Sequence, residues 1–271
     1  MNVPQAAAPT RLDGETRLYV IIGDPIGQVK SPANLTRILQ ERGANAVLVP
    51  GNIKPEGVDA FMAGAVACLN MDGVIATIPH KQALLKHCGR VTKRATVAGA
   101  VNITRREGNA WIGDNTDGQG HVDAVLAEGG TVEGSRALLV GAGGAGSAIA
   151  YEFLDRGVKF LGVHDVDQSR RDGLIARLQE VFGDRVGAGS NDPAGYDIIA
   201  NATPLGMREG DPFPVDMEKV TAEQFCSCVI TKPDPSPFIV KARELGCATS
   251  TGVDMFNAQA GFIVDYLLNR V

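Results

Sequence analysis

The stretch RALLVGAGGAGSAIA, residues 136–150, constrains the chain more than any other. An apolar run of strand length ends in glycines, and an Ala/Ile-rich run of helical composition follows at once. The spacing Gly141-x-Gly143-x-x-Gly146 fits a dinucleotide-binding turn. There Gly141 makes the tight turn, Gly143 lets backbone approach a pyrophosphate, and Gly146 lets helix and strand pack closely. Gly144, Ala142 and Ala145 share the loop, whose exposed N–H groups and helix dipole attract phosphate.

A chain of 271 residues exceeds the usual size of a single hydrophobic core, so two domains are expected. The net charge of −5 argues against nucleic acid as the main partner, because phosphate binding needs a basic face. No run of about twenty apolar residues exists to span a membrane. The Ala/Pro-rich Met1–Thr10 lacks the pattern of a signal peptide and reads as a loose tail, so a cytoplasmic protein is expected. Five scattered cysteines and four scattered histidines lack metal-ligand spacing, and no metal is expected. Cys226 and Cys228 would share one face of a strand and read as buried reduced thiols.

Strand and helix patterns alternate from Leu18–Gly23 through the helix starting at Ser31-Pro32, strand Ala46–Val49, helix Pro55–Leu69 and strand Gly73–Ile78 to the helical Lys81–His87. Ser31 reads as an N-cap with proline at the first helical position. Such alternation predicts βαβ units and a parallel sheet. Residues 97–117 read instead as a hairpin or a pair of short extended segments around Arg106–Asn109, with Trp111 in the core. A linking helix, Gly118–Glu128, leads to the nucleotide-binding strand. Strands Lys159–Val163, Asp197–Ala200, Cys228–Thr231 and Ala248–Thr251 follow, separated by helices Ser169–Phe182 and Pro237–Leu245. Met255–Leu268 is apolar enough to be a buried terminal helix. The fold class is therefore α/β, with an N-terminal substrate domain at 1–117, completed by 253–271, and a doubly wound Rossmann-type domain at 118–252.

Polar clusters at 29–32, 76–81 and 113–118 fall where loops should follow strands, the place where open α/β sheets bind ligands. With GDPIGQVKSP, TIPHK, GAVN, GDNTDGQG, GAGGAG, NATPLGM, PDPSP and GVDMFNAQ in order, the chain resembles the shikimate/quinate dehydrogenase family across residues 18–268. The resemblance implies a small-molecule substrate, a nicotinamide cofactor, and a monomer or homodimer. It implies Lys81 and Asp117 as the catalytic pair flanking the hydroxyl that is oxidised. It implies substrate contacts from Ser31, Thr77, Asn102, Gln259 and Thr231, and a cofactor border formed by Asn201, Thr203, Val229 and Gly252. A non-catalytic ligand-sensing module of the same fold is the alternative from another class.

The chain departs from the family pattern at Val29, Ile75 and Thr231, where the family usually carries serine, asparagine and tyrosine. Weak binding of shikimate and quinate is therefore expected, with a less polar or differently substituted ring acid preferred. The cofactor expected is NAD. Asp165 stands at the acidic position for the ribose hydroxyls, with Asp167 as its rival and helix capping as its other role. Val166 occupies the place of the arginine that grips a 2′-phosphate in NADP-using members, although Arg170 and Arg171 follow.

Overall fold

The computed structural model describes residues 12–270, so the expected loose tail lies outside the described residues. The first half of the chain runs β1 (Arg17–Gly23), α1 (Ser31–Glu41), β2 (Ala46–Asn52), α2 (Val58–Ala67), β3 (Met71–Ala76) and α3 (Lys81–Leu85). It continues through β4 (Arg90–Val91), α4 (Lys93–Ala98), β5 (Ile103–Glu107) and β6 (Ala110–Asp114). These strands form one sheet in the order β2-β1-β3-β5-β6-β4.

β1 is apolar along almost its whole length because both its faces are covered. Val20 and Ile22 pack with Val58 and Met62 of α2 on one side. Tyr19 and Ile21 pack with Leu35 and Leu39 of α1 on the other. The expected hairpin is present, with β5 and β6 antiparallel and Gly108 in the left-handed region at φ +60 in its turn. It joins the sheet through antiparallel pairing of β5 with β3. The first sheet is therefore mixed rather than parallel throughout.

The second half runs α5 (Asp117–Ala127), β7 (Arg136–Val140), α6 (Gly144–Asp155), β8 (Phe160–His164), α7 (Gln168–Phe182) and β9 (Val186–Ala188). After these come β10 (Ile198–Asn201), β11 (Phe225–Cys228), α8 (Pro237–Glu244), β12 (Ala248–Ser250) and α9 (Gly252–Leu267). Six parallel strands stand in the order β12-β11-β10-β7-β8-β9. Alternate residues again serve two cores: Ala137 and Leu139 pack beneath α6, while Leu138 packs toward Phe238 and Ile239 of α8. β11 lies three residues earlier than the strand expected at Cys228–Thr231, which leaves Val229 and Thr231 in the loop beyond its carboxyl end. Cys226 and Cys228 are buried free thiols within it.

β7 has β8 on one side and β10 on the other, so the chain switches direction across the sheet at the carboxyl end of β7. That switch point is the general place for a ligand in an open α/β sheet. α9 returns to the first sheet, where Ala260, Ile263 and Val264 join Tyr19, Ile21 and Ile75 in one cluster. Its start is fixed by a reciprocal capping box between Thr251 and Asp254. Among the described residues no helix is long and apolar enough to cross a membrane, and no group of three metal-ligating side chains occurs.

Candidate active site

One cleft lies where the carboxyl ends of the two sheets meet, lined from the first half by Thr77, Lys81 and Asn102 and from the second by Ala145, Thr203 and Val229. Lys81 opens α3 and Asp117 opens α5. Their side chains meet, Nζ of Lys81 donating to Oδ2 of Asp117 at 2.6 Å, with little of either exposed.

The carboxylate is held by more than the lysine. Asn102 Nδ2 donates to Asp117 Oδ1 at 3.0 Å and to Thr116 Oγ1 at 2.9 Å, and its Oδ1 accepts from the Thr116 backbone N–H at 3.0 Å. Thr116 Oγ1 in turn donates to Gln259 Oε1 at 2.8 Å. With its oxygen so engaged, Gln259 keeps its amide N–H groups for the cleft it lines. A chain of neutral groups thus orients a single carboxylate beside a single amine. Beneath it, Asp114 is buried against Arg94, which donates to it at 2.6 Å and 2.8 Å. Burial pulls the Arg94 guanidinium down, and the hydrogen bond and charge of Asp114 raise it by more.

Ser31 does not cap α1. Lys30 takes the N-cap position and no side chain caps the helix, so the Ser31 hydroxyl lines the cleft instead. Asn34, one turn along the same helix face, lines it too. Sequence reasoning did not single out Asn34, although its spacing of three from Ser31 carried the signal. Thr77 and Thr231 also line the cleft. Asn201 does not: it is fully buried, accepting from the backbone N–H and hydroxyl of Thr203 and donating to the Leu205 carbonyl. It shapes the loop that presents Thr203.

The glycine turn has the geometry a dinucleotide needs. Gly141 sits at φ +105, and a Cβ there would meet backbone of Ala202 at 2.9 Å. A Cβ on Gly146 would lie 1.9 Å from the Gly141 carbonyl oxygen, so only glycine lets α6 start this close to β7. Gly143 is extended and open, with nothing within 4 Å of a Cβ, and no side chain caps α6. The N–H groups that open α6 thus have no side-chain cap beside the open space at Gly143, the arrangement that a helix N-terminus offers to a pyrophosphate. Gly144 lies against the Lys81 stem, at 3.1 Å from an added Cβ, which brings the phosphate loop beside the amine. Gly252 leaves room for the Ile230 carbonyl, 2.4 Å from an added Cβ.

Asp165 is turned inward. Its Oδ2 accepts from the Ala142 backbone N–H at 2.7 Å and its Oδ1 from that of Asp167 at 2.8 Å. Asp167, not Asp165, caps α7 by accepting from the Arg170 N–H at 3.1 Å. Arg170 stands half-exposed over the turn, 3.7 Å from Asp165 and 3.4 Å from Asp167.

The model of the shikimate dehydrogenase substrate-binding domain matches residues 21–104. The shikimate dehydrogenase (NADP(+)) of Rubrobacter xylanophilus is 35% identical over 260 residues, spanning 93% of this chain and 88% of its own. Among solved structures, a shikimate dehydrogenase in complex with NADP+ aligns with a TM-score of 0.88 at 28% identity, over 96% of this chain and 92% of that one. The 5-ketofructose reductase of Gluconobacter sp. strain CHM43 aligns with a TM-score of 0.82 at 29% identity, over 94% of both chains. Relatives named shikimate dehydrogenase (NADP(+)) overturn the expected preference for NAD. The physical reason lies at the turn, where the Asp165 carboxylate is spent on backbone N–H groups and the outer face carries Arg170. A carboxylate in this position of the sequence does not by itself repel a 2′-phosphate. The chain belongs to the shikimate/quinate dehydrogenase family.

Proposed function

We propose that this protein is an NADP(+)-linked dehydrogenase that reversibly oxidises a ring hydroxyl of a hydroxylated carbocycle of the shikimate type. The observation that carries the proposal is the Lys81–Asp117 pair, 2.6 Å apart, in a cleft shared with the open phosphate loop. Residues 1–117 with 253–271 hold the substrate, and 118–252 hold the cofactor and lend Thr231 to the substrate side.

NADP(+) supplies a hydride acceptor when bound. The Gly141–Ala145 turn would hold its pyrophosphate, Arg170 would meet its 2′-phosphate, and Thr203, Val229 and Gly252 would border it. On the substrate side, Lys81 and Asp117 flank the reacting hydroxyl. Lys81 takes the hydroxyl proton and returns it in the reverse direction, a contribution of about 10²–10⁴ in rate. Asp117 keeps the amine in place and accepts a hydrogen bond from the substrate. Asn102 orients Asp117, Gln259 fixes the ring through its neutral amide donors, and Ser31, Thr77 and Thr231 reach the other hydroxyls.

The test is a panel of shikimate, quinate and uncharged cyclic polyols, each supplied with NADP(+) and with NAD(+), with formation of reduced nicotinamide and of the ketone both measured. Turnover with at least one member, faster with NADP(+), is expected. Ligand binding with no hydride transfer from any member would replace the enzyme with a sensing module.

A further inference from the structure

The walls of the substrate half of the cleft carry almost no charge. Ile21, Leu35, Ile75 and Ile263 line it and belong to one buried hydrophobic cluster, with Val29 and Phe256 packed against that cluster. Among the polar groups that interrupt this surface are the hydroxyls and amide of Ser31, Asn34, Thr77 and Thr231. None of these four side chains has a hydrogen-bond partner among the described residues, so all are open to a ligand. Among the described residues no arginine lines the cleft, and the cations that do are Lys30 and Lys81. Lys81 is already paired with Asp117. Lys30 is exposed at the mouth, where solvent screens its charge.

A substrate carboxylate seated on these walls would exchange its water for only a few hydroxyl and amide donors, because Val29 and Ile75 stand where the family usually carries serine and asparagine and offer none. A substrate hydroxyl donates one hydrogen bond and accepts others, the pattern that Ser, Thr and Asn side chains complement.

We propose that the substrate bound by this cleft is an uncharged polyhydroxylated compound, its hydroxyls on Ser31, Asn34, Thr77 and Thr231 and its apolar face on Val29 and Ile75. This rests on the dehydrogenase reading and names the substrate class for it. The reaction balances without another reagent. The C–H bond of the secondary alcohol breaks, its electron pair passes with hydrogen to NADP(+), the O–H proton passes to the Lys81 amine, and a ketone results.

Shikimate and its methyl ester separate charge from ring shape. kcat/KM with NADP(+) and calorimetric binding are measured for both on the full chain. The ester is expected to be favoured, by about tenfold; an acid that is equal or better overturns the proposal. Turnover of neither compound returns the dehydrogenase reading to the wider polyol panel, and binding then decides this one. Tighter binding of the ester supports it, whereas tighter binding of the acid, or of neither compound, overturns it. Val29→Arg, with its fold checked by thermal melting, should shift the preference toward the acid. An unchanged ratio in that folded variant counts against the proposal. Lys30→Gln should leave the ratio of the two compounds unchanged, and a selective loss of the acid would show that Lys30 grips a carboxylate and overturn the proposal.

Discussion

Lys81 Nζ and Asp117 Oδ2 lie 2.6 Å apart although thirty-six residues separate them in the chain. The contact exists because β3 and β6 end at the same edge of one sheet, so that α3 and α5 start side by side. Asp117→Asn keeps the shape and the Asn102–Thr116–Gln259 chain but removes the charge that holds the amine. kcat should fall by about 10²-fold, with the melting temperature close to that of the parent. Parental kcat in this variant would reduce Asp117 to a structural residue.

Gly146→Ala should fail for a different reason. The new Cβ would stand 1.9 Å from the Gly141 carbonyl oxygen, and backbone cannot yield as a flexible side chain does. The start of α6 must shift, at a cost of about 1–3 kcal/mol. Calorimetry should show lost NADP(H) binding, and thermal melting a lower midpoint. Parental affinity would mean that the turn does not hold the pyrophosphate.

Arg170 is the cation nearest the inward-facing Asp165. Arg170→Ala should raise KM for NADP(+) about tenfold, the value of one charge-assisted contact, while changing KM for NAD(+) little. Equal effects on the two cofactors would assign Arg170 to bracing the turn alone.

His121 of α5 is buried, with Nε2 2.9 Å from Ser227 Oγ and its ring edge-on to Phe153. Burial pushes its pKa down from 6.5 to about 4. Between these values the unfolded chain binds a proton that the folded one refuses, so stability present above pH 6.5 is lost as the pH falls toward 4. The loss from this group is about 3 kcal/mol. Urea unfolding at several pH values should show a steeper acid decline in the parent than in His121→Gln. Identical slopes would remove His121 as a source of acid sensitivity.

The long apolar strands and the glycine turn were legible because burial on both faces and close helix–strand packing demand those residues. β4, at Arg90–Val91, and β9, at Val186–Ala188, were not, since two or three residues carry no period. The hairpin at Gly108 was visible, but its pairing with β3, which makes the first sheet mixed, is a tertiary choice. At the site, Lys81 and Asp117 were found through ordered motifs. Asp165 and Asn201 show what residue type alone conceals: whether a polar side chain faces the ligand or the backbone. Ser31-Pro32 had the composition of a helix cap, yet α1 begins at Ser31 itself and frees the hydroxyl.

The most direct test of the account is Lys81→Ala, measured beside the parent for NADP(H) affinity, thermal midpoint and kcat in both directions on a substrate the parent turns over. On the proposed mechanism the amine would move a proton and not hold the dinucleotide, so affinity and midpoint should stay near parental values while kcat falls by about 10²–10⁴. A folded Lys81→Ala protein with parental kcat and only a raised KM would contradict the assignment of the proton chemistry to Lys81.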